Sequence, residues 1–81
     1  MNTKTYLGNI IKNSRKEAGV DQALLVDYAD ISIWTLSRIE NGSANPSLEK
    51  IENILEVLGL EIVIRKKLDG TLIERSIDED R

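Results

Sequence analysis

Apolar residues in the first sixty positions recur every three or four residues, which is the spacing of one buried face of a helix. Leu7, Ile11 and Ala18 follow this spacing in the first segment, between charged residues. Residues that favour helix N-caps precede the later segments, and glycine stands at or just after the end of three of the four. The pattern predicts helices over residues 5–18, 22–29, 33–40 and 48–58, the last three capped by Asp21, Ser32 and Ser47.

The pattern changes to that of a β-strand after Gly59. Residues 61–68 are rich in β-branched side chains and too few for a helix. Asp69-Gly70 then precedes a further apolar segment, and this dipeptide between apolar runs is typical of a hairpin turn. The sequence therefore predicts a mainly α fold, in which four helices are followed by a C-terminal β-strand or hairpin.

The chain has 81 residues, which fits one domain with a thin core. Oligomerisation would help to stabilise a domain of this size. We divide the sequence into a helical domain (1–59), a strand or hairpin element (60–77) and an acidic tail (78–81) whose end we expect to fray.

The composition excludes several classes of chemistry, because the chain has no cysteine and no histidine. Disulfides, thiolate nucleophiles and zinc sites built on these residues are excluded, and the commonest general base is missing. No serine stands in a nucleophile motif. We therefore expect no catalytic residue, no metal site and no cofactor. The carboxylates of residues 76–81 could be read as a metal site, but a solvated acidic end is the favoured interpretation.

The N-terminal residues lack the apolar core of a secretory signal, and no apolar run approaches the length of a membrane span. These features predict a cytoplasmic protein without membrane contact.

The net charge of −3 counts at first sight against nucleic-acid binding, which usually leaves a basic footprint. Residues 69–81 hold five carboxylates against two arginines, so they account for the whole excess, and the rest of the chain is neutral. A neutral domain can bind DNA if its cations share one face, although its non-specific affinity is then weak.

The second and third predicted helices, with the bend between them, occupy only about twenty residues, 21–40. Two short helices joined this tightly meet at a steep angle, as in a helix-turn-helix unit. Many helical proteins contain such a corner, so the geometry alone indicates function only weakly.

The residues of this unit are more specific than its geometry. Residues 19–59, and above all the block TLSRIENG (35–42), resemble the phage-repressor (XRE, Cro/CI-like) helix-turn-helix family. The resemblance covers about residues 5–59. It implies a sequence-specific DNA-binding repressor that acts as a dimer, with double-stranded DNA as its partner.

The resemblance also implies roles for individual residues. The third helix corresponds to the recognition helix, which enters the major groove, and Ile33, Trp34 and Arg38 correspond to positions that read base edges. Arg15 and Glu40 correspond to an ion pair between the first and third helices. The predicted DNA-binding set is Gln22, Ser32, Ile33, Trp34, Thr35, Ser37, Arg38, Asn41 and Ser43, in which Gln22 and the backbone after Asn41 would hold phosphates.

Three positions depart from the family pattern. Val26 stands where a small alanine is usual, and Asp30 stands where many relatives have glycine, although aspartate can adopt the left-handed conformation. Ile33-Trp34 replaces polar or basic residues. This pair would either contact thymine methyl groups or, with Trp34 folded back onto the second helix, form peripheral core; a protein-binding surface is a third interpretation.

The C-terminal strand has no partner in the predicted fold, and an isolated strand or hairpin is marginal in water. The simplest partner is the same strand of a second copy, which predicts a homodimer through Ile62, Val63 and Ile64. This layout resembles the HipB-type antitoxins and would add a toxin as a protein partner. Three alternatives therefore remain: a free-standing repressor, a repressor that is also an antitoxin, and a helix-turn-helix module that binds only proteins.

Overall fold

The computed structural model describes residues 2–74, so the acidic tail 78–81 and the end of the predicted hairpin element lie outside the described residues. Its elements, in order, are α1 (Thr3–Glu17), α2 (Gln22–Ala29), α3 (Ile33–Glu40), α4 (Leu48–Val57), β1 (Ile64–Arg65) and β2 (Leu72–Ile73). The prediction of a mainly α fold with a C-terminal hairpin is confirmed. Within residues 2–74, no helix has the length and apolar character needed to cross a bilayer.

Each helix begins after a side chain that caps its N-terminus. The three predicted caps hold: the side-chain oxygens of Asp21, Ser32 and Ser47 accept hydrogen bonds from backbone amides three residues later, at 2.8, 3.0 and 3.2 Å. The first helix begins two residues before its predicted start at about residue 5. Asn2 accepts a hydrogen bond from the amide of Thr5 at 2.8 Å and so caps a helix that begins at Thr3.

The turn between α2 and α3 depends on Asp30, which has φ 57° and ψ 50°. It is the one non-glycine residue with a positive φ in the part of the chain that the structure describes. The prediction that aspartate adopts the left-handed conformation here is confirmed. This conformation costs an L-residue about 1–2 kcal/mol, which glycine in the same turn would avoid.

The core lies between the four helices, and each helix contributes one of the four largest fully buried side chains: Ile11, Leu25, Leu36 and Ile54. Burial of each stabilises the fold by roughly 1.5–3 kcal/mol. Leu60 lies beyond α4 but packs against this core, and its amide donates to the carbonyl of Leu55 at 2.8 Å. The packed unit therefore extends through residue 60.

Gly8 marks the closest approach of α1 to the C-terminal end of α3. A Cβ atom at this position would collide with the carbonyl oxygen of Ile39 and lie 2.9 Å from that of Glu40. Both atoms belong to backbone, so neither can rotate away. The glycine thus sets the distance between the two helices.

Gly8→Ala is expected to destabilise the protein by about 1–3 kcal/mol, the usual effect of overpacking a tight contact. Helix propensity alone would favour alanine by about 1 kcal/mol, so the two effects have opposite signs. Urea unfolding would measure the change, with Asn9→Ala on the exposed side of the same helix as the control. A Gly8→Ala protein as stable as the parent would show that the helices can separate without cost.

The chain after α4 forms an antiparallel hairpin in which Ile64 lies opposite Ile73 and Arg65 opposite Leu72. Lys66 and Thr71 close a four-residue loop through a hydrogen bond from the Lys66 amide to the Thr71 carbonyl at 2.9 Å. The sequence predicted either a single C-terminal strand or a hairpin, and the structure contains the hairpin. Within residues 2–74, the predicted strand over residues 61–68 is shortened to Ile64–Arg65, the two residues that pair with β2.

Candidate nucleic-acid interface

The predicted DNA-binding residues fall on three segments next to one another in the fold. Gln22 opens α2, residues 32–38 cover the cap and the first turns of α3, and residues 41–43 form the loop that leaves α3. Hydrogen bonds join Ser37 to Gln22 and Arg38 to Ser43, at 3.4 and 3.0 Å. The structure therefore brings the three segments into one contiguous surface.

The first turn of α3 is held by a paired contact between Ser32 and Thr35. The Ser32 hydroxyl accepts from the Thr35 amide at 3.0 Å and donates to the Thr35 hydroxyl at 2.9 Å. Ser32 is thus the N-cap of α3, and the Thr35 hydroxyl accepts a hydrogen bond from the capping hydroxyl. The positive end of the helix dipole lies beside them, and an N-terminus of this kind favours a phosphate.

Trp34 and Arg38 lie one turn apart on α3 and form a stacked pair. The guanidinium carbon of Arg38 is 4.8 Å from the centroid of the Trp34 ring. Trp34 is 68% exposed and Ile33 is about half exposed, and neither packs against the core. Trp34 therefore does not fold back onto α2 as peripheral core, which was one of its two main interpretations.

The loop after α3 is fixed by its own hydrogen bonds. The side-chain oxygen of Asn41 accepts from the amide and the hydroxyl of Ser43, at 3.0 and 2.6 Å. Gly42 has φ +79°, and a Cβ there would lie 2.9 Å from the Thr5 hydroxyl, so any other residue would be strained at this position. The loop thereby holds the carbonyl of Ser43 where Arg38 reaches it.

A buried ion pair joins the C-terminal end of α3 to α1. Arg15 and Glu40 are only 8% and 6% exposed, and two hydrogen bonds of 2.7 and 3.0 Å join the guanidinium to the carboxylate. Arg15 also donates to the carbonyl of Val20 at 3.0 Å. Within residues 2–74, every buried polar side-chain atom has a hydrogen-bond partner. This is the ion pair that the family resemblance implies, and it ties α1 to the end of the candidate recognition helix.

The surroundings of the pair favour its charged form. Burial by itself would raise the pKa of Glu40, but hydrogen bonds from Arg15 and Gln22 and the charge of Arg15 outweigh it and hold this pKa below its usual value. The hydrogen bond to Glu40 raises the pKa of Arg15 against the opposing effect of burial.

Gln22 has a role that the sequence interpretation missed. Its amide nitrogen donates to a carboxylate oxygen of Glu40 at 3.1 Å, and its amide oxygen accepts from Ser37. The side chain thus joins the start of α2 to the buried pair, in addition to any contact with a ligand. Gly8 was missed as well, although a glycine inside a helical pattern is itself a sign of close backbone packing.

Three solved structures show what this chain is similar to. The clp gene regulator ClgR from Corynebacterium glutamicum has a TM-score of 0.72 and 25% identity, over 74% of this chain and 64% of that one. The chain thus spans less than two thirds of that ClgR chain. SinR, the master regulator for biofilm formation, was solved in complex with DNA and has a TM-score of 0.62 and 36% identity, over 68% of this chain and 89% of that one.

The restriction-modification controller protein C.AhdI from Aeromonas hydrophila has a TM-score of 0.67 over 70% of this chain and 86% of that one. Its identity is 23%, so this likeness shows the fold alone. No curated protein sequence matches the chain. A family model described as helix-turn-helix matches residues 11–64, from α1 to the start of β1. The chain belongs to the helix-turn-helix family of the phage-repressor (XRE) type.

Proposed function

We propose that this protein is a cytoplasmic transcriptional repressor that binds a near-palindromic operator as a homodimer. Membership of the helix-turn-helix family and similarity to ClgR and SinR support a DNA-binding regulator. The observation that carries the proposal is the outer face of α3, where the exposed Ile33 and Trp34 lie in the first turn and the part-exposed Arg38 lies one turn after Trp34, on a helix whose other face is anchored in the core.

The side chains on this face of α3 have the chemistry needed to bind in the major groove. The guanidinium fork of Arg38 matches the O6 and N7 acceptors of guanine, and an apolar side chain such as Ile33 suits a thymine methyl group. The N-terminus of α3 and the backbone of the loop after Asn41 would contact phosphates on either side. Because the cation count on this surface is low, we expect sequence-specific contacts to supply a large share of the affinity.

The hairpin supports the homodimer. Ile62, Val63 and Ile64 are exposed, and with Leu55 and Leu60 they line a groove between α4 and the hairpin. A two-stranded hairpin is marginally stable in water, so covering this apolar surface with a second copy would stabilise both.

Selection of bound sequences from random DNA tests the proposed function. The expected result is a near-palindrome with half-sites one helical turn apart, about 34–36 Å, as dimeric helix-turn-helix proteins read. Failure to select any sequence would contradict the proposal and favour the alternative of a helix-turn-helix module that binds only proteins.

Arg38→Ala is expected to weaken binding to the selected operator by about 1–3 kcal/mol and to relax base preference at one position in each half-site. Competition binding with operators changed at single positions would measure this. Lys16→Ala, an exposed residue of α1 outside both the proposed DNA-binding surface and the hairpin, is the control for losing one positive charge. A uniform loss across all sequences would assign Arg38 to a phosphate, and no loss would mean that α3 is not the reading helix.

The exposed hairpin supports a second candidate function, the autoregulating antitoxin of a toxin–antitoxin pair. In that case the hairpin surface left free by the dimer would hold a toxin. Co-expression with the product of the adjacent open reading frame, followed by copurification and a growth assay, tests this candidate.

A further inference from the structure

We propose that Trp34 is a positioning residue that holds the guanidinium of Arg38 in the orientation needed to read a guanine. The inference rests on the proposed function, and it assigns Trp34 to the same base as Arg38 rather than to a base of its own. The pair lies on one side of α3, one turn apart.

The guanidinium of Arg38 is held from two directions. The ring of Trp34 lies 4.8 Å from its central carbon, and the carbonyl oxygen of Ser43 accepts a hydrogen bond from one Nη at 3.0 Å. Ser43 is itself fixed, because its amide and hydroxyl donate to the Asn41 side chain. An arginine side chain otherwise samples many rotamers, and binding would have to select one of them.

The two contacts leave the reading capacity of Arg38 intact. An arginine has five N–H donors in a planar fork, and the Ser43 carbonyl takes one of them. Two adjacent donors can still meet O6 and N7 of guanine. The ring face also restricts where the fork can lie, and a bidentate contact requires the fork to meet the edge of the base in one orientation.

The exposure of Trp34 is explained by this role. A large aromatic ring that is 68% exposed adds little to the core. The group that lies over the face of the Trp34 ring is the guanidinium cation of Arg38. Stacking a cation on an exposed indole is favourable by an amount that corresponds to roughly a 2- to 5-fold change in an equilibrium constant.

The test uses the full chain and the selected operator. The guanine to be examined is the one whose preference disappears in Arg38→Ala. Affinities would be measured for that operator, for the operator with another base pair there, and for the operator with 7-deazaguanine, which lacks only the N7 acceptor. The proteins are the parent, Trp34→Leu, Trp34→Phe and, as the control for losing an exposed aromatic ring, Tyr28→Leu.

The expected result for Trp34→Leu is a loss of roughly 2- to 5-fold in discrimination at this one position, with a smaller penalty for 7-deazaguanine than in the parent. Trp34→Phe should keep most of the discrimination, since it keeps an aromatic face, and Tyr28→Leu should keep all of it. In an Arg38→Ala background, Trp34→Leu should change nothing at this position, because there is no longer a guanidinium to orient.

Several outcomes would overturn the inference. A Trp34→Leu effect that is equal on all sequences assigns the ring to the DNA backbone or to folding, which thermal melts of the variants would reveal. An effect at a different base pair that persists without Arg38 makes Trp34 a base-reading residue in its own right. Should no guanine depend on Arg38, the positioning role fails even if the protein is a repressor, whereas a parent protein that selects no sequence contradicts the proposed function itself.

Discussion

Replacing Glu40 by alanine is expected to destabilise the protein by about 3–5 kcal/mol, because the buried guanidinium of Arg15 is then left without its carboxylate. The pair is joined at 2.7 and 3.0 Å and is nearly closed to solvent. Small domains are stable by roughly 5–15 kcal/mol in total, so the effect would remove a large part of the free energy of unfolding. Urea unfolding followed by circular dichroism measures it.

Two further variants separate the charge from the space it occupies. Glu40→Gln keeps the shape and one acceptor but removes the negative charge, and it should lie between the parent and Glu40→Ala. The double variant Arg15→Met, Glu40→Leu removes both charges and should be less destabilised than Glu40→Ala, since buried pairs can often be replaced by apolar residues at little cost. An unchanged urea midpoint for Glu40→Ala would show that the ion pair does not contribute to the stability of the fold.

Because of this ion pair, the free energy of unfolding is expected to depend on pH. The pKa of Glu40 is lower in the folded state than in the unfolded chain, where a glutamate titrates near pH 4.3. Its contribution is therefore complete above about pH 4.3 and is lost as the pH falls through the folded-state pKa. The informative quantity is the difference in acid dependence between the parent and Glu40→Gln, because that difference isolates the contribution of the Glu40 carboxyl group.

The acid dependence has a control on the hairpin. The backbone amide of Thr71 lowers the pKa of Asp69, but Asp69 is fully exposed, so Asp69→Asn should change the acid dependence far less than Glu40→Gln. Equal effects of the two variants would contradict the assignment of the acid transition to the buried pair.

The elements of the fold that the sequence predicted are those set by local interactions. Asp21, Ser32 and Ser47 act on amides three residues away, so their residue types suffice to place three helix starts. Asp69-Gly70 likewise specifies its own turn. The start at Thr3 was missed because the short pattern before residue 5 carries no apolar repeat, although Asn2 is a favourable cap.

The sequence named a set of candidate DNA-binding residues but could not give the contacts among them. The family block located the surface, yet the stacking of Arg38 on Trp34 also depends on the Ser43 carbonyl, whose place is set by the turn at Gly42. Similarly, the bond from Gln22 to Glu40 exists only because α2 packs beside the end of α3. Contacts of this kind follow from tertiary packing, which residue types and spacings do not specify.

If the hairpin forms the proposed dimer interface, breaking it is expected to weaken operator binding by roughly 10²–10⁴-fold, because a monomer loses the effective concentration that joins the two half-sites. Val63→Glu is the most direct change. Val63 lines the groove, is half exposed and lies outside the paired residues of β1, so a charge there leaves the hairpin bonds intact while opposing an apolar contact with a second copy.

The matched control is Leu68→Glu, the same type of change on the same hairpin. Leu68 is 98% exposed and does not line the groove, so this variant should remain dimeric and bind normally. A truncation used as a third sample should end at Leu60 or later, because Leu60 packs on the core and bonds to Leu55. It should keep its helices and lose both dimerisation and tight operator binding.

Sedimentation and gel shifts on the same samples test both halves of this prediction. For Val63→Glu we expect a monomer that still prefers the same half-site bases, since Arg38 and the first turn of α3 lie far along the chain from the change. If Val63→Glu remains dimeric and binds the operator as tightly as Leu68→Glu, then the helices make the dimer. The apolar groove would in that case be free to hold a different protein, and the antitoxin candidate would gain the surface that it requires.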